Sequence, residues 1–254
     1  MRAKLFPTAL AVGAFLFSVA FAACAETATV KVGVKNAMTA QLVLPDRPGP
    51  HPAILLLHTS GGLQAGDLQF AQRLAHEGYA VLVPAFLDAY QITAKTRQAT
   101  FTTYAADIYA DFVASLESLG QNKEIDGKRV ATIGFSNGAY FALWLAASGK
   151  VQAGVSYYGA LTGAGTDRSL ARFHEAFDQK SAPVLILHGT DDATVPFAKA
   201  AELDALLSAA QARHEFQSYP GAGHRFDREG GPANEAAAAD VWPRTLKFLS
   251  EALN

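Results

Sequence analysis

From residue 53 onward the chain alternates short, wholly apolar runs with longer stretches in which apolar side chains recur every three or four positions. Residues 53–58 (Ala-Ile-Leu-Leu-Leu-His) form the first run, and residues 79–83, 130–135, 151–157 and 183–188 repeat the pattern. A strand of a parallel sheet covered on both faces reads this way, because successive side chains point to opposite sides and both sides meet apolar layers. Between the runs, residues 67–77, 102–119, 138–147, 197–210 and 234–253 carry the helical period. Residues 214–219 alternate, as in a strand with one wetter face. Ahead of the first run, residues 29–34 and 39–44 alternate apolar with polar and predict an antiparallel hairpin at one sheet edge. Pro45, Pro48, Gly49, Pro50 and Pro52 mark the loop that follows. The glycine-rich pieces at 159–165, 221–223 and 230–231 lie at strand ends and are too short to link domains. The expectation is one α/β domain, a mostly parallel central sheet with helices on both faces, whose ligands sit outside the carboxyl ends of the strands.

Residues 1–25 stand apart from this pattern. Arg2 and Lys4 precede an uncharged apolar run from Leu5 to Ala23, and Ala23-Cys24-Ala25 precedes the first acid, Glu26. A basic start, an apolar middle and a small-residue end describe a secretory signal peptide cut before Glu26, leaving a domain over 26–254 exported to the bacterial periplasm or secreted. A retained membrane anchor is the rival, since the run approaches spanning length, but no charged stop-transfer flank follows it. Lipidation at Cys24 is a second rival, although Phe21 stands where a lipoprotein signal usually has Leu.

Composition refines the picture. The 254 residues are 50% hydrophobic and 17% charged, which is incompatible with disorder. The 21 basic side chains against 23 acidic ones give a charge of −2 with no basic block, so the footprint of a nucleic-acid binder is lacking. Loss of residues 1–25 removes Arg2, Lys4 and the single cysteine, leaving 229 residues at −4. The remaining domain then has no disulfide, no Cys-ligated metal and no thiol nucleophile.

Three polar clusters fall at predicted strand ends. Gly134-Phe135-Ser136-Asn137-Gly138 is a G-x-S-x-G between a strand and a helix, where glycines permit the sharp turn that exposes a nucleophilic serine. The helix that follows aims its first amides at the site, where an oxyanion can accept them. His188-Gly189-Thr190-Asp191-Asp192 follows another strand. Either acid can orient an imidazole, and either can instead cap the helix near Pro196. Gly221-Ala222-Gly223-His224-Arg225-Phe226 follows the last strand, and of the seven histidines only His224 lies in a glycine-lined loop after both the serine and the acid. The order Ser, Asp, His is that of an α/β-hydrolase triad. His58 and His188 read as structural hydrogen-bonding groups near the site, whereas His51, His76, His174 and His214 carry no motif.

With these motifs the chain from about Thr29 to Leu253 resembles the dienelactone hydrolase family of α/β-hydrolases. The resemblance also rests on Ala75-His76-Glu77-Gly78-Tyr79-Ala80-Val81-Leu82-Val83-Pro84 and Ser156-Tyr157-Tyr158-Gly159. It implies that the acid stands three residues after the glycine of the His-Gly pair, which selects Asp192 over Asp191. It further implies that the oxyanion amides come from Asn137 and from the loop after the third strand, at Ser60 or Thr59. Two departures stand out. Well-known members have Cys where this chain has Ser136, and they often carry an acid where it has Thr59. Arg228, four residues after His224, matches in spacing an arginine that binds substrate carboxylate in members acting on such lactones; Arg97 is a weaker candidate.

The expected activity is hydrolysis of carboxylic esters or lactones by Ser136, His224 and Asp192 through an acyl-enzyme, with a small-molecule substrate and neither metal nor organic cofactor. Phe86, Tyr90, Tyr158 and Phe226 are candidates for an acyl pocket and equally for core packing. An acyltransferase or peptidase on the same triad, and a binding protein that kept the fold without the activity, are the alternatives. The sequence carries no signal for oligomeric state.

Overall fold

The structure, a computed structural model, describes residues 25–161 and 168–254. The expected signal segment, including Cys24, and most of the 159–165 glycine loop lie outside the described residues. Eight strands, β1 (Glu26–Val32), β2 (Met38–Leu44), β3 (His51–Leu57), β4 (Ala80–Pro84), β5 (Ile125–Phe135), β6 (Ala153–Tyr157), β7 (Val184–Gly189) and β8 (His214–Tyr219), form one sheet in the order β1-β2-β4-β3-β5-β6-β7-β8. The β1–β2 and β2–β4 pairs are antiparallel, and from β4 to β8 every pair is parallel.

The apolar runs divide their side chains between two cores. Leu55 and Leu57 of β3 face one cluster, with Phe112, Phe141 and Leu203. Ile54 and Leu56 face the other, with Phe70, Leu74 and Leu249. The first face is covered by α3 (Ala105–Leu119), α4 (Asn137–Ala147), α5 (Arg168–Ala176) and α6 (Phe197–Ala209), the second by α1 (Ala65–His76) and α7 (Pro232–Leu253). Helices on both faces leave only the strand ends open to a ligand. Among the described residues no helix is long and apolar enough to cross a membrane.

Departures from the sequence expectation are local. Strand β5 starts at Ile125, before the apolar run, because the buried Ile125 pairs with His51 and the polar residues 126–129 fall at a register shift before Val130 pairs with Ala53. Helix α3 starts at Ala105, and residues ahead of it form the short helix α2 (Phe86–Ala89) and a single 3-10 turn at Arg97–Thr100. Helix α5 buries Leu170 and Phe173, and Phe177 just past its end is buried as well, a signal obscured by the adjoining glycines. The edge hairpin is tied down by Asp111 of α3. Its carboxylate accepts the amides of Val34 (2.6 Å), Lys35 (2.5 Å) and Asn36 (3.0 Å) and the hydroxyl of Tyr90 (2.6 Å).

Candidate active site

The turn between β5 and α4 sets the site. Ser136 has φ 48° and ψ −106°, a left-handed conformation that a non-glycine residue adopts only when its surroundings enforce it. Enforcement comes from both flanking glycines. A Cβ on Gly134 would stand 2.4 Å from the Ala139 backbone, and one on Gly138 would stand 2.3 Å from the Leu57 carbonyl oxygen. The Ser136 amide donates to Tyr157 O (3.0 Å), and its carbonyl accepts the amides of Ala139 (3.1 Å) and Ala160 (2.9 Å). The serine is thus held above the sheet with its backbone fully engaged.

His224 reaches this serine from the loop after β8. Its Nδ1–H donates to Asp192 Oδ2 (2.7 Å), which leaves Nε2 as the acceptor for the Ser136 hydroxyl at 3.2 Å. The loop is held by Gly221, with φ 72°, and by the Gly223 amide, which donates to Asn234 Oδ1 (3.0 Å). Asp192 sits after β7 and does two jobs at once. Its Oδ1 accepts the amides of Thr194 and Val195, both at 2.8 Å, while Oδ2 takes His224. The sequence left helix capping and imidazole orientation open between two acids; neither acid caps α6, whose N-cap is Pro196, Asp192 ties down its own loop while orienting the imidazole, and Asp191 is exposed and accepts the Thr190 hydroxyl. Burial disfavours charge on Asp192, but hydrogen bonds from His188, His224 and the Val195 amide outweigh it and hold the carboxyl well below the usual carboxylate range. His188 aims Nε2 between Val195 O (2.9 Å) and Asp192 Oδ2 (3.3 Å). His58 is buried, stacked on Phe86 at 4.1 Å, and burial chiefly lowers its pKa.

A cavity of about 220 Å³ opens beside Ser136 and Asn137, bordered by Ser60, Arg97, Gln98, Phe101, Ala160, Thr194 and Val195. Asn137 is the first residue of α4, where an amide has no intrahelical acceptor. Ser60 follows Thr59, whose carbonyl accepts from His58 Nδ1 (2.8 Å) and the Gly62 amide (3.2 Å), so the loop is a closed turn. Of the residues bordering the cavity, Gln98, Phe101 and Ala160 carry no sequence motif, and Thr194 and Val195 stand in the motif after β7 without a role of their own in the sequence. Arg97 was the weaker arginine candidate, yet it borders the cavity and has no acidic partner among the described residues.

Of the two residues expected to bind substrate, neither Arg228 nor Tyr158 borders the cavity. Arg228 donates from Nε to Asp227 Oδ2 and from Nη1 to Asp67 Oδ1, both at 2.9 Å, so its charge is already met by two carboxylates. Burial disfavours the guanidinium's charge, but the nearby Tyr158 hydroxyl and these two acids more than reverse that and raise its pKa. Tyr158 is fully buried, with its ring edge-on to His224 at 4.6 Å and its hydroxyl donated to Asp227 Oδ1 at 2.8 Å. Phe86, Phe226 and Tyr90 are core side chains as well.

The model of the dienelactone hydrolase family matches residues 38–253. Among curated proteins, the chain is 29% identical over 219 residues to "Putative carboxymethylenebutenolidase" of Escherichia coli (strain K12), covering 80% of this chain and 78% of that one. Among solved structures it is similar to the dienelactone hydrolase-like promiscuous phosphotriesterase P91 from metagenomic libraries (TM-score 0.74, 23% identity, 91% of this chain and 100% of that one). The crystal structure of "Putative Dienelactone Hydrolase" from Klebsiella pneumoniae is similar as well (TM-score 0.72, 23% identity, 89% of this chain and 99% of that one).

Proposed function

The chain belongs to the dienelactone hydrolase family, and on that premise we propose that it is a serine hydrolase of small carboxylic esters or lactones, working through Ser136, His224 and Asp192. The observation that carries this reading is the continuous chain Asp192 Oδ2, His224 Nδ1, His224 Nε2, Ser136 Oγ, with spacings of 2.7 and 3.2 Å, opening onto a cavity beside the serine. Asp192 fixes the imidazole tautomer, so Nε2 takes the serine proton as Oγ attacks the acyl carbon. The amides of Asn137 and Ser60 receive the oxyanion, and the imidazolium returns its proton to the leaving alcohol. Water activated by the same imidazole then releases the acid.

The cavity also supports a preference. Its volume suits a short acyl group, and Arg97, the cation on its border, suits a substrate with a free carboxylate. The N-terminal segment carries the accompanying proposal of export, checked by recovering the protein from the periplasm and sequencing its amino terminus, where Glu26 is expected.

The direct test is turnover of a short-chain aryl ester by the purified domain. Ser136→Ala is expected to abolish hydrolysis while leaving the circular dichroism spectrum unchanged. An alanine variant with full activity overturns the reading. Parallel assays with amides, and with added alcohols as acyl acceptors, separate hydrolysis of esters from peptidase or transferase activity on the same residues.

A further inference from the structure

The loops that carry Ser60 and His224 follow β3 and β8, which are separated in the sheet by β5, β6 and β7. One side chain nevertheless joins them. Arg228 Nη1 donates to Oδ1 of Asp67 in the first turn of α1, and Asp67 Oδ2 accepts the amide of Gln64, the last residue before that helix (2.9 Å each). The guanidinium carbon lies 4.5 Å from the centre of the Phe135 ring, the residue immediately before Ser136. Through Nε it holds Asp227, which receives the hydroxyl of Tyr158, the ring packed against His224. A single half-buried cation therefore touches the loop behind Ser60, the residue before the nucleophile, and the support of the histidine.

We propose that Arg228, paired with Asp67, is a positioning residue that locks the Ser60 loop and the His224 loop into one register around Ser136, and that it does not anchor a substrate carboxylate. The guanidinium fork suits the task because it meets two carboxylates in fixed directions, which an ammonium cannot do. A substrate anion would have to displace Asp67 or Asp227, and Arg228 is not among the residues that border the cavity.

The inference rests on the serine hydrolase reading, and the experiment keeps the two apart. Arg228→Met, Arg228→Lys, Asp67→Asn and the Arg228→Met/Asp67→Asn pair are assayed on a neutral aryl acetate and on an aryl hemisuccinate, with active sites counted by a fluorophosphonate. Each single variant is expected to lower kcat per titrated site by roughly 10- to 100-fold on both esters, the scale of a small displacement of catalytic groups. KM is expected to change by less than about threefold, as for an interaction that acts on the transition state alone. The pair should be no worse than its worse member, since both changes break one contact. A selective rise in KM for the hemisuccinate, with kcat kept, makes Arg228 a substrate anchor and overturns the proposal. Unchanged kcat per titrated site with a lower melting temperature makes it purely structural and also overturns it. Arg228→Lys retains the charge and covers the case in which Arg228→Met fails to fold. Failure of the serine reading is seen separately, as turnover in Ser136→Ala or none in the parent, and it removes both claims.

Discussion

Asp192 holds His224 with one carboxylate oxygen and its own loop with the other. Oδ2 lies 2.7 Å from His224 Nδ1, while Oδ1 receives the amides of Thr194 and Val195. Asp192→Asn keeps an oxygen for the two amides but disturbs the imidazole tautomer. The expected result is a kcat lower by about 10³- to 10⁴-fold with a fold that still melts cooperatively. Retention of more than a tenth of the activity would exclude Asp192 from the proposed triad.

The same carboxylate links stability to pH. Its pKa is depressed in the folded protein relative to about 3.9 in an unfolded chain. A depressed acid contributes stability that is complete above the unfolded value and is lost as pH falls towards the folded one. Urea unfolding should therefore show the parent protein weakening below about pH 4 more steeply than Asp192→Asn does. Parallel curves for the two proteins would contradict this.

The glycines of the elbow are sterically fixed. Gly138→Ala would drive a Cβ into the Leu57 carbonyl, whereas a Cβ at Gly230 meets nothing within 4 Å. Gly138→Ala is expected to cost about 1–3 kcal/mol and to lose activity by displacing Ser136. Gly230→Ala should stay within about 0.5 kcal/mol of the parent. Thermal melts of the two variants make the comparison.

Arg97 borders the cavity without an acidic partner among the described residues. Arg97→Ala should raise KM for an aryl hemisuccinate by about tenfold while sparing an aryl acetate, and the difference should shrink at high salt. Equal KM changes for both esters would show that the cation does not read substrate charge.

Asp111 accepts four hydrogen bonds in the interior. Asp111→Asn brings an NH₂ among donors and removes an acceptor, with an expected loss of about 1–3 kcal/mol. Hydrogen exchange should place the added opening in the β1–β2 hairpin, and an unaltered hairpin would refute that assignment.

What could be read in advance follows from the range of each interaction. Strands β3, β5 and β7 were legible because their side chains are apolar on both faces and β8 because it alternates, whereas Asp192 was separable from Asp191 only through the family resemblance. The segment from Phe86 to Tyr104 was not, since it mixes a one-turn helix, a 3-10 turn and loops, none with a period. Arg228 shows the limit most clearly. Its spacing from His224 is visible in the sequence, but the acid that claims it, Asp67, lies 161 residues upstream. No local pattern announces a partner at that distance.

The residues proposed to surround the scissile bond hang from β3, β5, β7 and β8, so the proposed reacting geometry is shared across five adjacent strands. Parting the ladder anywhere between β3 and β8 separates at least two of them. Turnover thus doubles as a gauge of cooperativity for the whole sheet: in rising denaturant, catalytic rate and far-ultraviolet ellipticity are expected to vanish along one curve, and the enzyme to have no folded but inactive plateau.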